Sequence, residues 1–180
     1  MFNKGDKIVY PIYGAGIIES LEEKEIDGSL QLYYVMRIPI GNLKIVISAD
    51  KVDSLGIRAI YTIEKINAIM QTVKSLPIDM PENWSQRYKE NMSRIRTGKL
   101  EEISLVYRNL YNRERVRGLS TAEKKIMTTA RQIIVSEIIL VQEIEKFQAE
   151  EVLLKMFDVG IVENSTNFEN IPKPPESESV

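Results

Sequence analysis

The side chains best suited to binding chemistry in this 180-residue sequence lie in one stretch, residues 81–99. The only tryptophan of the chain, Trp84, is followed there by five basic side chains and one acidic side chain, Glu90. On a helix, Trp84, Arg87 and Tyr88 are spaced i, i+3 and i+4, which predicts a shared face. An aromatic side chain beside cations suits a protein that holds DNA phosphates and wedges at a base step. From the residues alone the favoured interpretation is a buried Trp84 beside a solvated basic face, because most tryptophans are largely buried.

Catalytic chemistry is restricted by composition, since the chain has no cysteine and no histidine. Thiolate nucleophiles, cysteine metal sites and Ser–His or Cys–His pairings are therefore excluded. Carboxylate or lysine catalysis stays open, but no constellation of acidic residues supports it, so we expect no enzyme, no metal and no cofactor. Gly14 and Gly16 form only a GxG pattern, which predicts a tight turn rather than a phosphate-binding loop.

Charge is distributed unevenly along the chain. Residues 1–60 carry a net charge of −1, residues 61–134 carry +6, and residues 135–180 carry −7. A basic middle and an acidic end indicate different partners for different parts. Residues 159–180 are rich in proline, serine and glutamate and are predicted to form a disordered acidic tail. No apolar run reaches the roughly 18 to 20 residues of a membrane span, and no signal peptide is recognisable, so we expect a cytoplasmic protein.

The elements that would position these residues change from strand to helix near residue 61. Short apolar runs and the Asp27–Gly28 hairpin signal predict four or five antiparallel strands in residues 1–60, as a small barrel or strongly bent sheet. After residue 61 the apolar residues follow helical spacing. One helix is predicted to start at Pro81, and a long one is predicted to begin with a capping box at Ser120. The apolar run at 152–157 either extends that long helix or forms another. The sequence therefore predicts an α+β chain with an all-helical domain over residues 61–158.

Three stretches also carry a family resemblance: FNKGDKIVYPIYGAGII at 2–18, NWSQRYKENM at 83–92 and RERVRGLSTAEKKIMTTARQIIVSEI at 113–138. Over residues 1 to about 157 the chain resembles the CarD/CdnL-type bacterial RNA-polymerase-binding transcription regulators. The resemblance implies a Tudor-like antiparallel β barrel that docks on the polymerase β subunit, partly through strand edges. It also implies a helical domain whose tryptophan wedges into the minor groove at the upstream edge of the promoter bubble, which stabilises the open complex.

The resemblance carries Trp84, Arg87 and Lys89 over directly as DNA-binding residues. We expect the DNA to be contacted largely without sequence preference, through its backbone and minor groove. The full set of residues that we predict to bind DNA is Trp84, Arg87, Tyr88, Lys89, Arg94, Arg96, Lys124, Lys125 and Arg131. The set that we predict at the polymerase is Lys24, Leu43, Lys44, Ile45, Val46 and Ile47. Lys24 and Val46 stand where relatives often or sometimes have arginine, and a lysine loses bidentate pairing with a carboxylate.

Two other functions remain open on the sequence. The chain fits a two-module adaptor whose basic helical domain binds an acidic protein, and, less well, an enzyme using carboxylates. We expect a monomer without membrane contact, with pairing of an edge strand between two copies as the alternative. Exposure of Trp84 discriminates between the interpretations, because a fully buried Trp84 favours a core role.

Overall fold

A computed structural model describes residues 1–157 of the chain, and the tail predicted over residues 159–180 lies outside the described residues. The strands are β1 (Lys7–Tyr10), β2 (Gly14–Ile26), β3 (Ser29–Ile38), β4 (Leu43–Ser48) and β5 (Arg58–Ala59). The helices are α1 (Ile63–Ser75), α2 (Trp84–Arg96), α3 (Leu100–Arg117), α4 (Thr121–Gln142) and α5 (Lys146–Met156). A β domain followed by an all-helical domain is confirmed.

The five strands form one antiparallel sheet in the order β4-β3-β2-β1-β5, so β4 and β5 are its edges. Asp27 and Gly28 join β2 to β3 with φ of 52° and 78°. A type I′ turn, one of the favoured two-residue turns of β-hairpins, requires positive φ at both central residues. The buried cluster of the β domain consists of six strand residues, Ile8, Ile18, Tyr34, Met36, Ile38 and Ile47, and of Ile57, which precedes β5.

The turn between β1 and β2 lies at residues 11–13, and Gly14, with φ of +109°, begins β2 directly after it. The prediction is therefore wrong only in extending the turn to Gly16. A Cβ atom on Gly16 would lie 2.5 Å from the carbonyl oxygen of Arg37 on β3. A Cβ atom on Gly14 would lie 2.7 Å from Oγ of Ser136 on α4. Both glycines therefore allow a close approach of neighbouring elements, which any side chain would prevent.

The helices begin and end at local signals, with one boundary that differs from the prediction. α2 begins at Trp84 and not at Pro81, because the side chain of Asn83 accepts a hydrogen bond from the backbone N–H of Gln86. The capping box at Ser120 is confirmed at the start of α4. Glu143, in the left-handed region, ends α4, so α5 is a separate helix.

The sheet is joined to the helical domain through α4. Val9 and Ala15 of the sheet belong to the same buried apolar cluster as the helices. The backbone N–H of Ala15 donates to Oγ of Ser136 at 2.7 Å. The Arg58 guanidinium donates to both carboxylate oxygens of Glu137, at 2.7 and 2.9 Å. Apolar packing and a buried ion pair together fix the orientation of the sheet relative to the helices.

Candidate nucleic-acid and docking surfaces

Trp84 lies at the surface of the helical domain. Its side chain is 49% exposed, and its ring stacks on that of Tyr88 with centroids 5.8 Å apart and an interplanar angle of 29°. The interpretation of Trp84 as a buried core residue is therefore wrong. Exposed Trp84 and the half-buried Tyr88 and Met92, which pack against the helical core, follow one another at i, i+4 and i+8 along α2, and we call this row the α2 ridge.

Arg87 does not share the exposed face, although its spacing predicted that it would. It is 2% exposed, and its Nε donates to Glu123 on α4 at 2.6 Å. Its Nη1 donates to the carbonyl oxygens of Pro81 and Glu82, at 2.8 and 3.0 Å. A guanidinium engaged in this way cannot reach a phosphate, so direct DNA contact by Arg87 is wrong. The residue instead ties the start of α2 to α4.

Two surface grooves flank the α2 ridge, and both include Tyr88 and Met92 in their walls. The larger, of about 430 Å³, lies between α2 and α4 and includes Lys125. The smaller, of about 320 Å³, includes Lys89 and Arg96. No acidic side chain is among the described residues that line either groove. The structure thus brings five of the predicted residues together: Trp84, Tyr88, Lys89, Arg96 and Lys125.

The remaining predicted cations are engaged by acidic side chains. The Arg94 guanidinium donates to Glu90 and Glu102, at 2.9 and 2.6 Å, and the hydrogen bond that Glu90 accepts raises the pKa of that guanidinium despite partial burial. Lys124 and Arg131 each have a carboxylate 3.3 Å away, on α3 and α5 respectively. These pairs offset the positive charge, so the cationic surface is narrower than the sequence predicted.

The β4 edge offers a second surface, because β4 has no strand partner on its outer side among residues 1–157. Lys44 is exposed and Val46 is 49% exposed, whereas Leu43 and Ile45 are half-buried. Ile47 is only 2% exposed and fills the core of the sheet. A side-chain contact by Ile47 with a partner is therefore wrong, and only its backbone lies at the edge.

Lys24 lies apart from β4, on a two-stranded ribbon. β4 pairs with β3 only as far as Tyr33, whereas the β2–β3 hairpin continues to Ile26 and Ser29. The Nζ atom of Lys24 is 3.7 Å from the carboxylate of Glu22 and 5.4 Å from the centre of the Tyr33 ring. Lys24 is exposed, so a partner of β4 that also covered the ribbon would reach it.

Some residues of the ridge and grooves were not predicted. Met92 lies at i+4 from Tyr88 on the same helix, so helical spacing alone was enough to find it. Ile126 and Thr129 join the larger groove from α4, and only the packing of two helices brings them there. Glu123 looked like a capping residue and also proves to be the partner of Arg87.

Two structural features are absent from the described part of the chain. Within residues 1–157 no helix combines the length and apolar character needed to cross a bilayer. The same residues contain no group of three or more acidic side chains arranged to hold a metal ion.

Known proteins resemble this chain along nearly all of the described residues. The model of the CarD-like/TRCF RID domain matches residues 2–61, and that of the CarD C-terminal domain matches residues 68–154. A curated Bacillus subtilis (strain 168) protein, described as "Putative transcription factor YdeB", is 38% identical over 148 residues. That match covers 82% of this chain and 97% of the relative. Both domain models match in the order in which the sheet and the helices occur, and the chain belongs to the CarD/CdnL family.

Proposed function

We propose that this protein is a transcription regulator that binds RNA polymerase through the β4 edge and places the α2 ridge against promoter DNA. Trp84 then wedges at the upstream edge of the bubble and opposes its collapse, which lengthens the lifetime of the open complex. The observation that carries the proposal is an exposed Trp84, stacked on Tyr88 and flanked by cationic grooves.

The chemistry of the ridge supports a nucleic acid over an acidic protein. The ring of Trp84 offers a flat apolar surface to a base step, since every base has a π face. Lys89 and Arg96 line the groove on one side of the ridge and Lys125 lines the groove on the other, so cations are available to phosphates on both sides. The binding is expected to be salt-dependent and largely independent of sequence, because phosphate contacts carry no base information.

Family membership supports the polymerase part of the proposal. The first domain of the chain matches a domain model named for both CarD-like proteins and TRCF. A strand edge with free backbone groups is a surface to which an extended segment of a partner can add. Exposed Val46 and Lys44 on β4 would then provide side-chain contacts beside the backbone pairing.

The experiment compares four variants of the full chain. Trp84→Ala should shorten the open-complex lifetime about fivefold or more, because one aromatic–base stack contributes about 1–3 kcal/mol. Phe147→Ala, which removes a 70% exposed aromatic residue from α5, should leave that lifetime unchanged. Val46→Glu should weaken retention of RNA polymerase in a pull-down, whereas Val116→Glu, at a 78% exposed valine on α3, should not.

Each arm has a result that contradicts it. An unchanged lifetime with Trp84→Ala, in a protein that melts like the wild type, refutes the wedge. Equal retention of polymerase by the two valine variants refutes docking through β4. Absence of salt-steep DNA binding would leave the adaptor function, in which the basic surface binds an acidic protein.

A further inference from the structure

The indole N–H of Trp84 is already engaged within the protein. Nε1 donates to Oγ of Ser120 at 3.1 Å, although the two residues lie on different helices. Ser120 is the N-cap of α4, whereas Trp84 is the first residue of α2. This N–H is the only hydrogen-bonding group of a tryptophan side chain. The indole is therefore oriented with its polar edge towards the protein.

The hydroxyl of Ser120 is held in turn. It donates to Oε2 of Glu123 at 2.8 Å and accepts from the backbone N–H of Glu123 at 3.3 Å. A serine hydroxyl has one donor and two acceptor positions. With the indole N–H all three are occupied, so Oγ has one well-defined position.

The network ends in a buried ion pair. The second oxygen of Glu123, Oε1, accepts from Arg87 at 2.6 Å, and both side chains are only 3% exposed. Arg87 follows Trp84 by three residues on the same helix. The bonds thus run from α2 to α4 and back to α2, which makes the orientation of the indole depend on buried, fixed groups.

From these contacts we infer that Ser120 is a positioning residue for Trp84, and that Trp84 meets its ligand with its apolar ring and with no hydrogen-bond donor. The contact with DNA then depends on stacking and on the deformability of the base step. It does not depend on the minor-groove acceptors, N3 of adenine and O2 of thymine. The statement about DNA rests on the proposed function, whereas the positioning of Trp84 does not.

Holding the indole in place has a consequence for affinity. Ordering a side chain on binding costs conformational entropy, and a side chain that is already ordered avoids that cost. Loss of the Ser120 hydroxyl should therefore shorten the open-complex lifetime about two- to tenfold, the range that corresponds to immobilising one side chain.

The first experiment uses the free protein, in which Trp84 is the only tryptophan and so the only source of indole fluorescence. Ser120→Gly removes the hydroxyl and largely preserves the helix N-cap, because glycine is a good capping residue. Thr62→Gly is the matched control, since Thr62 likewise caps a helix, α1, through its side chain, and its hydroxyl accepts from the backbone N–H of Lys65. We expect Ser120→Gly to raise acrylamide quenching of Trp84 and to lower its fluorescence anisotropy, with no change in Thr62→Gly. Unchanged quenching and anisotropy in Ser120→Gly overturn the positioning role, whatever the protein binds.

The second experiment is a double-mutant cycle on the open-complex lifetime. Trp84→Phe keeps an aromatic ring but has no N–H, so Ser120→Gly should shorten the lifetime in the wild type and have no further effect in Trp84→Phe. Equal effects of Ser120→Gly in both backgrounds overturn the inference. If Trp84→Ala itself leaves the lifetime unchanged, the proposed function fails, and the fluorescence result still decides the positioning.

A third measurement tests the missing donor. Promoter DNA with 3-deazaadenine at the upstream edge of the bubble lacks the N3 acceptor but keeps its stacking surface. The wild-type lifetime should be the same on this DNA as on unmodified DNA. A shorter lifetime that disappears in Trp84→Phe would show that the indole N–H donates to the base, and would overturn the inference.

Discussion

Replacing Glu137 with alanine tests whether one ion pair holds the sheet to the helical domain. The Glu137 side chain is fully buried, with 0% exposed, and that of Arg58 is 17% exposed. The carboxylate accepts two hydrogen bonds from Arg58 and one, at 2.9 Å, from the backbone N–H of Tyr61. Glu137→Ala leaves the Arg58 charge and the Tyr61 N–H without these acceptors at the interface.

The expected loss follows from the burial of that pair. Removing one partner of a buried ion pair costs about 3–5 kcal/mol, because the remaining charge is uncompensated. Arg58 keeps its hydrogen bond to the carbonyl oxygen of Gly98, so we expect the lower end, about 3 kcal/mol. For a protein of this size that corresponds to a fall in Tm of about 6–12 °C.

The assay is thermal and urea unfolding of the full chain followed by circular dichroism, with Glu90→Ala as the matched control. Glu90 pairs with Arg94 at i, i+4 on the surface of α2, and Arg94 keeps its second partner, Glu102. The control should lose only about 0.5 kcal/mol. A Glu137→Ala protein that loses no more free energy of unfolding than Glu90→Ala would refute the reasoning that this pair fixes the two units.

Two further predictions concern backbone strain and pH. Gly98→Ala should destabilise the fold by about 2–4 kcal/mol in urea unfolding, because φ is +69° and a Cβ atom would lie 2.5 Å from the carbonyl oxygen of Gly56. Gly28→Ala, at φ +78° with no atom within 4 Å of the new Cβ, should lose only the smaller cost of placing alanine at positive φ. Equal losses of unfolding free energy in the two variants would contradict the steric argument. Burial alone would raise the pKa of Glu123, but the hydrogen bonds from Ser120 and the adjacent guanidinium outweigh it and hold the pKa below its ordinary 4.5. A group whose pKa is lowered in the folded state stabilises the fold at pH values above its ordinary pKa, and this stabilisation is lost as pH falls through the folded-state pKa. The free energy of unfolding, measured from pH 7 to about pH 3, should therefore fall less in Glu123→Gln than in the wild type. Parallel curves for the two proteins would refute this.

The elements of the fold were predictable where the signal is local. The hairpin at Asp27–Gly28 follows from two residues that tolerate positive φ. The start of α4 follows from a hydroxyl and a glutamate three residues apart, which satisfy orphan backbone amides within one turn. The start of α2 was misplaced by three residues, because Pro81 is acceptable in a first turn but the side chain of Asn83 makes the capping bond.

The candidate site was predictable only in part. Helical spacing placed Trp84 and Tyr88 together, and their rings do stack. The same spacing placed Arg87 beside them, and the prediction was wrong because spacing does not say which way a side chain at the edge of a face will turn. Glu123 decides it, since a buried carboxylate attracts the guanidinium inwards.

The sequence by itself determined the order of sheet and helices, the absence of histidine and cysteine chemistry, and the basic character of the middle of the chain. These properties depend on residue type and on neighbours within a few positions. Only the tertiary structure decided that Trp84 is exposed, that Arg87 is buried, and that Lys89, Arg96 and Lys125 flank one ridge. Burial and ion pairing depend on residues that are distant in sequence, such as Glu123 for Arg87 and Ser120 for Trp84, and chain folding alone brings them within hydrogen-bond distance.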